Sequence, residues 1–90
     1  MIEKTVKIIN PLGLHARAAA QLVRLAGKFK SRIKLVRTNN EVMADAKSIL
    51  SVLTLAASKG TELNLVVEGA DETEAMAALE ELINKGFGEI

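Results

Sequence analysis

The chain predicts an α+β fold: an open-faced two-layer β-sandwich of order βαββαβα, in which a four-stranded antiparallel sheet carries three helices on one face. Three observations lead there. Four short β-rich segments are apolar on one side only, and three others repeat their apolar residues at helical spacing, again on one side only. Such elements bury one surface each, so they pair in two layers and leave the second face of the sheet to water. Ninety residues, without repeats, low-complexity stretches or a linker, make one domain over residues 1–90 and leave no room for a second core.

The elements follow in order. Thr5–Ile9 is a short β-rich segment, and Asn10-Pro11 with Gly13 ends it in a turn. From Ala16 to Ala26 the pattern is helical, with Gly27 expected as the C′ residue. At 100° per residue Ala19, Leu22, Val23 and Ala26 share the core face, while Arg17, Gln21, Arg24 and Lys28 form a stripe opposite. Arg32–Arg37 alternates, with Ile33 and Leu35 pointing one way, and Asn39-Asn40 turns the chain into a strand around Glu41–Ala44. KSILSVLTLAA reads as a short helix beginning at Ser48 and broken at Lys59-Gly60. Thr61–Glu68 alternates again through Leu63, Leu65 and Val67. Asp71 and Glu74 have capping-box spacing before a last helix with Ala75, Leu79, Leu82 and Ile83 inward and Gly86 as its stop.

Composition narrows the chemistry. Hydrophobic residues make up 49% and charged residues 26%, which places the chain among globular rather than disordered sequences. With no Cys, disulfides, thiolate zinc sites and cysteine nucleophiles drop out. The start, MIEKTVKIINP, has neither the apolar core nor the cleavage site of a signal peptide, and no apolar run reaches membrane-spanning length, so a cytoplasmic protein without membrane insertion is expected. Charge is lopsided: residues 1–50 hold ten Lys/Arg against three Asp/Glu, a net +7, and residues 51–90 hold two against eight, a net −6. A basic surface of this kind suits an acidic or phosphorylated partner. Nucleic acid is not expected, because two Phe and no Trp or Tyr supply no stacking platform.

Residues 13–20, GLHARAAA, contain the only His. The plain reading of His15 is a polar residue capping a helix. The sharper reading starts from the helix N-terminus, whose unpaired N–H groups and roughly half a positive charge make an anion site. That positive end disfavours the imidazolium, leaving a neutral nucleophile near pH 7. A phosphoryl group taken up by the ring would land beside the amides of Ala16 and Arg17, within reach of the Arg17 guanidinium. Gly13 allows the sharp turn before the His. One His without adjacent carboxylates or thiols makes no metal site, no cofactor is called for, and no nucleophile elbow supports a Ser-His-Asp triad. The residues alone leave capping and phosphoryl chemistry both open.

GLHARAAA, followed by KSILSVLTLAASKGTEL and GADETEAMAALEELINKGFGE, resembles the HPr family, the histidine-containing phosphocarriers of the phosphoenolpyruvate-dependent sugar phosphotransferase system. The likeness runs essentially the whole chain. It implies a monomeric phosphotransfer protein with a phosphohistidine intermediate rather than a free-standing enzyme. Members accept a phosphoryl group on Nδ1 of the motif His from enzyme I, which draws it from phosphoenolpyruvate, and pass it to enzyme IIA components. His15 matches that acceptor and Arg17 the motif arginine beside it. The serine of the K-S-I motif, Ser48 here, is by the same resemblance a regulatory site for an HPr kinase/phosphorylase. Phosphate there would add roughly two negative charges and repel the partner that the basic stripe attracts.

Ile49, Leu50 and Leu53 form a candidate apolar docking patch, ringed by Arg17, Arg24, Lys28 and Lys47, with at least one of the three expected to be core. Three positions depart from the family pattern. Ala18 replaces a common Pro, Leu50 a usual Met and Ser51 a frequent Gly, while the segment between Leu35 and Lys47 is about two residues longer than in some relatives. Two alternatives stand beside the sugar-branch carrier. One is a paralogue in the nitrogen-related regulatory branch; the other is a regulator that binds without phosphotransfer, which the retained His15 disfavours.

Overall fold

The strands of the computed structural model, which describes residues 1–89, form one sheet of order β1-β4-β2-β3 in which every neighbouring pair is antiparallel. The elements are β1 (Ile2–Lys7), α1 (Ala16–Ala26), β2 (Arg32–Arg37), β3 (Met43–Asp45), α2 (Ile49–Leu53), β4 (Glu62–Glu68) and α3 (Glu72–Asn84), followed by a 3-10 turn over Gly86–Gly88. This is the βαββαβα open-faced sandwich that the patterning predicts.

Register explains why one face is buried. Val6 lies opposite Leu63, Ile33 opposite Val67, and Leu35 opposite both Leu65 and Ala44, so apolar side chains of all four strands align on the helix side. Helix α1 packs against both α2 and α3, and it adds Ala18, Ala19, Leu22 and Ala26 to the core. Burying a side chain such as Leu22, Leu35 or Leu65 contributes about 1.5–3 kcal/mol each. The small alanines let α1 approach closely. On the open face opposite charges face each other across neighbouring strands: Lys7 opposite Glu62 and Arg32 opposite Glu68 join the basic and acidic halves of the chain, and Lys34 lies opposite Asp45 within the first half.

Several boundaries differ from expectation, each for a tertiary reason. The first strand is Ile2–Lys7 rather than Thr5–Ile9, because its pairing with β4 starts at Ile2 opposite Val67. The third is Met43–Asp45 rather than Glu41–Ala44, since Glu41 takes φ 59° inside the turn and donates its N–H to Arg37 O. Helix α2 stops at Leu53, where the Thr54 hydroxyl donates to Ser51 O and Ala56 turns left-handed at φ 48°. Gly27 caps α1 with an ordinary helical φ of −64°, whereas Gly86 at φ 61° makes the left-handed stop expected of it. Val23 and Leu82 are only half-buried; Ala18 and Met76 fill the core positions instead.

The capping box at Asp71 and Glu74 does not form. Asp71 sits at the N-cap of α3, but its side chain makes no cap bond. It accepts instead from the N–H groups of Lys30 (2.8 Å) and Ser31 (2.9 Å) and from the Ser31 hydroxyl (2.6 Å). Glu72 takes over the local work, with its carboxylate accepting from Gly69 N–H at 3.1 Å and pairing with the Met1 ammonium at 3.0 Å.

Candidate functional site

The turn after β1 brings the chain to α1 through Gly13, which has φ +67° and lies against the backbone of Ala57 and Ser58. A Cβ at Gly13 would stand 2.5 Å from Ala57 O, so only glycine fits. Leu14 N–H donates to that same Ala57 carbonyl at 2.8 Å. The turn that carries His15 is thereby tied to the loop following α2.

His15 is the N-cap of α1. Its backbone is extended (φ −72°, ψ 178°), and its Nδ1 accepts the N–H of Arg17 at 3.2 Å. Capping and chemistry are therefore not rival readings, because the atom that caps the helix is a ring nitrogen with a lone pair aimed at the helix amides. A quarter of the His15 side chain remains exposed, and Arg17 lies at the surface beside it. Pro11, Leu12, His15, Arg17, Gly88 and Glu89 line an open depression.

The other ring nitrogen has a partner that sequence reasoning missed. Nε2 of His15 meets Glu89 Oε2, and Glu89 Oε1 accepts from Asn10 Nδ2 at 3.1 Å. The hydrogen bond to His15, then that from Asn10, holds the Glu89 carboxyl below the usual carboxylate range, and the Arg17 guanidinium adds to the effect. Asn10 is fully buried and also donates to Gly13 O at 2.7 Å. The available signal was Gly86-Phe87-Gly88, a turn-forming run with one apolar residue directly before Glu89. Its partner lies 74 residues away.

Comparison with known proteins decides the family. The profile described as PTS HPr component phosphorylation site matches residues 2–85. The chain belongs to the HPr family. It is 51% identical to phosphocarrier protein HPr of Cupriavidus necator, over 99% of this chain and 98% of that protein. The crystal structure of HPr-C-His from Thermoanaerobacter tengcongensis superposes with a TM-score of 0.93 at 43% identity, covering 100% and 99% of the two chains. A second structure, of an HPr dimer from the same organism, gives a TM-score of 0.77 at 44% identity, covering 99% and 100%. This HPr-family protein is thus a phosphocarrier of the phosphotransferase system.

The remaining residues singled out in the HPr motifs fall on the same helical layer. Ser48 is the N-cap of α2 and accepts Ser51 N–H at 3.3 Å. Ser51 has work of its own, as its hydroxyl accepts Asp45 N–H at 2.9 Å and fastens α2 to β3. Ile49 and Leu53 are each 38% exposed and Leu50 is 74% exposed, so none of the three is core, contrary to expectation. Val52 is the residue of this helix that points inward. A five-residue helix turns one side to the core, and the three flanking apolar residues have nowhere else to go. Arg24 and Lys28 are exposed on the α1 stripe as expected. Lys47 differs, because its ammonium donates to Phe29 O at 2.7 Å and so ties the start of α2 to the chain leaving α1. Among the described residues no helix is long and apolar enough to cross a membrane, and no three His, Cys, Asp or Glu side chains cluster as metal ligands.

Proposed function

We propose that His15 is the phosphoryl acceptor, taking the group on Nδ1 from phospho-enzyme I and passing it to enzyme IIA components. The direction of Nδ1 carries this reading. Its lone pair faces the start of α1, where the amides of Ala16 and Arg17 and the Arg17 guanidinium provide donors for phosphoryl oxygens. In the step, the Nδ1 lone pair forms the N–P bond while the donor's bond to phosphorus breaks and its electron pair stays with the donor. The Arg17 N–H that bonded to Nδ1 then bonds to a phosphoryl oxygen, so the helix keeps a cap throughout.

Docking would centre on Ile49, Leu50 and Leu53, with Arg17, Arg24 and Lys28 around them; Lys47 contributes charge from a tethered position. We assign the carrier to a monomer, since two partners must reach the same nitrogen in turn. Ser48 is the proposed regulatory phosphorylation site of an HPr kinase/phosphorylase.

Intact mass after incubation with phosphoenolpyruvate, Mg²⁺ and enzyme I tests the reading. One acid-labile, base-stable phosphoryl group, absent in His15→Ala, is expected. No transfer from an active enzyme I overturns the sugar-branch assignment, and transfer from the nitrogen-branch enzyme alone replaces it.

A further inference from the structure

We propose that Glu89, braced by Asn10, is the positioning residue that holds His15 in the tautomer with hydrogen on Nε2 and the lone pair on Nδ1. This rests on the reading of His15 as the phosphoryl acceptor and names what prepares it. Nδ1 meets an N–H donor, that of Arg17, and must present a lone pair there. Nε2 meets a carboxylate oxygen and must present a hydrogen there. The opposite tautomer would set N–H against N–H at one nitrogen and lone pair against lone pair at the other. Each ring contact therefore selects the same form.

The arm that delivers Glu89 is built for the purpose. Gly86, Phe87 and Gly88 have φ of 61°, 56° and 79°, three successive left-handed residues that swing the chain away from the axis of α3. A non-glycine residue in that region is strained, and Phe87 is held there with its side chain 4% exposed in the core. Glu89 follows directly.

Asn10 then fixes the carboxylate from behind. Its Nδ2 donates to Gly13 O and to Glu89 Oε1, while its buried Oδ1 has no partner among the described residues. Rotating the amide would place its oxygen against two oxygens, so the side chain accepts one unsatisfied atom to serve both acceptors. The charged and titratable groups facing the imidazole are Arg17 from α1 and Glu89 from the arm.

The tautomer matters twice in the transfer cycle. On arrival, only a ring with its lone pair on Nδ1 can form the N–P bond. On departure, the P–N bond breaks, its electron pair returns to Nδ1, and the phosphoryl group joins the acceptor's nucleophile. With hydrogen retained on Nε2, the ring leaves as neutral imidazole and no proton need move. Without that hydrogen the leaving group would be an imidazolate.

Nitrogen NMR of the ¹⁵N-labelled imidazole, on unphosphorylated protein with the ring neutral, reads the tautomer directly. Predominantly the Nε2–H form is expected in the native chain. In Glu89→Gln, where one of the two carboxylate oxygens that face Asn10 and His15 becomes a donor-only NH₂, the share of the Nδ1–H form rises. Phosphoryl transfer in both directions falls about 10-fold, and Glu89→Asp, which keeps the charge, recovers part of it. An unchanged tautomer ratio in a folded Glu89→Gln protein overturns the proposal. Because this readout needs no phosphorylation, it stands apart from the mass experiment: a native chain that accepts no phosphoryl group refutes the carrier site and leaves the tautomer result to decide the role of Glu89.

Discussion

Asp71 at the start of α3 accepts three hydrogen bonds from Lys30 and Ser31 at the entrance to β2. Ser31 is fully buried, and the carboxylate satisfies both its N–H and its hydroxyl. These bonds, the Ser31 hydroxyl first, lower the Asp71 carboxyl from 3.8 to about 2. A carboxyl depressed in the folded state contributes stability that is present in full above the unfolded value of 3.8 and is lost as pH falls through about 2. Melting temperature should therefore drop between those two values in the native chain. Asp71→Asn should melt several degrees lower at neutral pH, with a flatter slope across that acid window. Parallel melting profiles for the two proteins would count against the bracket.

Gly13→Ala forces a Cβ to within 2.5 Å of Ala57 O and 2.8 Å of Ser58 Cα at a φ of +67°. The substitution should cost about 1–3 kcal/mol in urea unfolding. It should also slow phosphorylation, because the displaced turn carries His15. Full rate in a destabilised Gly13→Ala protein would separate the turn from the chemistry.

Ala56 pays for its left-handed φ of 48° because its carbonyl and that of Leu55 accept the Arg37 guanidinium, at 3.0 and 2.7 Å. Ala56→Gly removes that strain while adding some freedom to the unfolded chain. A net gain of about 0.5 kcal/mol is expected from denaturant unfolding. A loss of stability would show that the methyl group packs usefully.

Leu50 and Val52 are two residues apart on α2 and should behave in opposite ways. Leu50→Ala, at a site 74% exposed, should change stability by under about 0.5 kcal/mol yet raise the KM for enzyme I. Val52→Ala, at a fully buried site, should cost about 2 kcal/mol and leave KM near its native value. Equal KM values in the two folded variants would remove Leu50 from the docking surface.

Ser48→Asp should slow phosphoryl acceptance from enzyme I several-fold without unfolding the domain, since the new charge sits beside the exposed residues Ile49 and Leu50, proposed for docking, rather than in the core. Ser48→Ala should leave the rate near native while losing the cap bond to Ser51 N–H, at about 1 kcal/mol. Matching rates for the two substitutions would remove the regulatory assignment.

Local patterning carried much of this protein. Alternation placed Ile33, Leu35, Leu63, Leu65 and Val67 inward, helical spacing gave α1 its bounds, and GLHARAAA put His15 at the start of that helix. These are statements about neighbours in the chain, where backbone period and side-chain polarity act within one or two turns. Pairings across the fold were not legible. D-x-x-E at Asp71 is an ordinary capping signal, and only the approach of β2 turned the carboxylate toward Ser31. Likewise Ile49, Leu50 and Leu53 have core-like chemistry, and the shortness of α2 left them outside.

By itself, then, the sequence determined the order of elements, the buried face of each, and a lone imidazole poised on a helix N-terminus. Tertiary structure decided which way that imidazole is held. Glu89, braced by Asn10, meets His15 through a left-handed arm anchored by Phe87. No periodicity encodes a contact across 74 residues, because it exists only once the core has closed around the residue that anchors it.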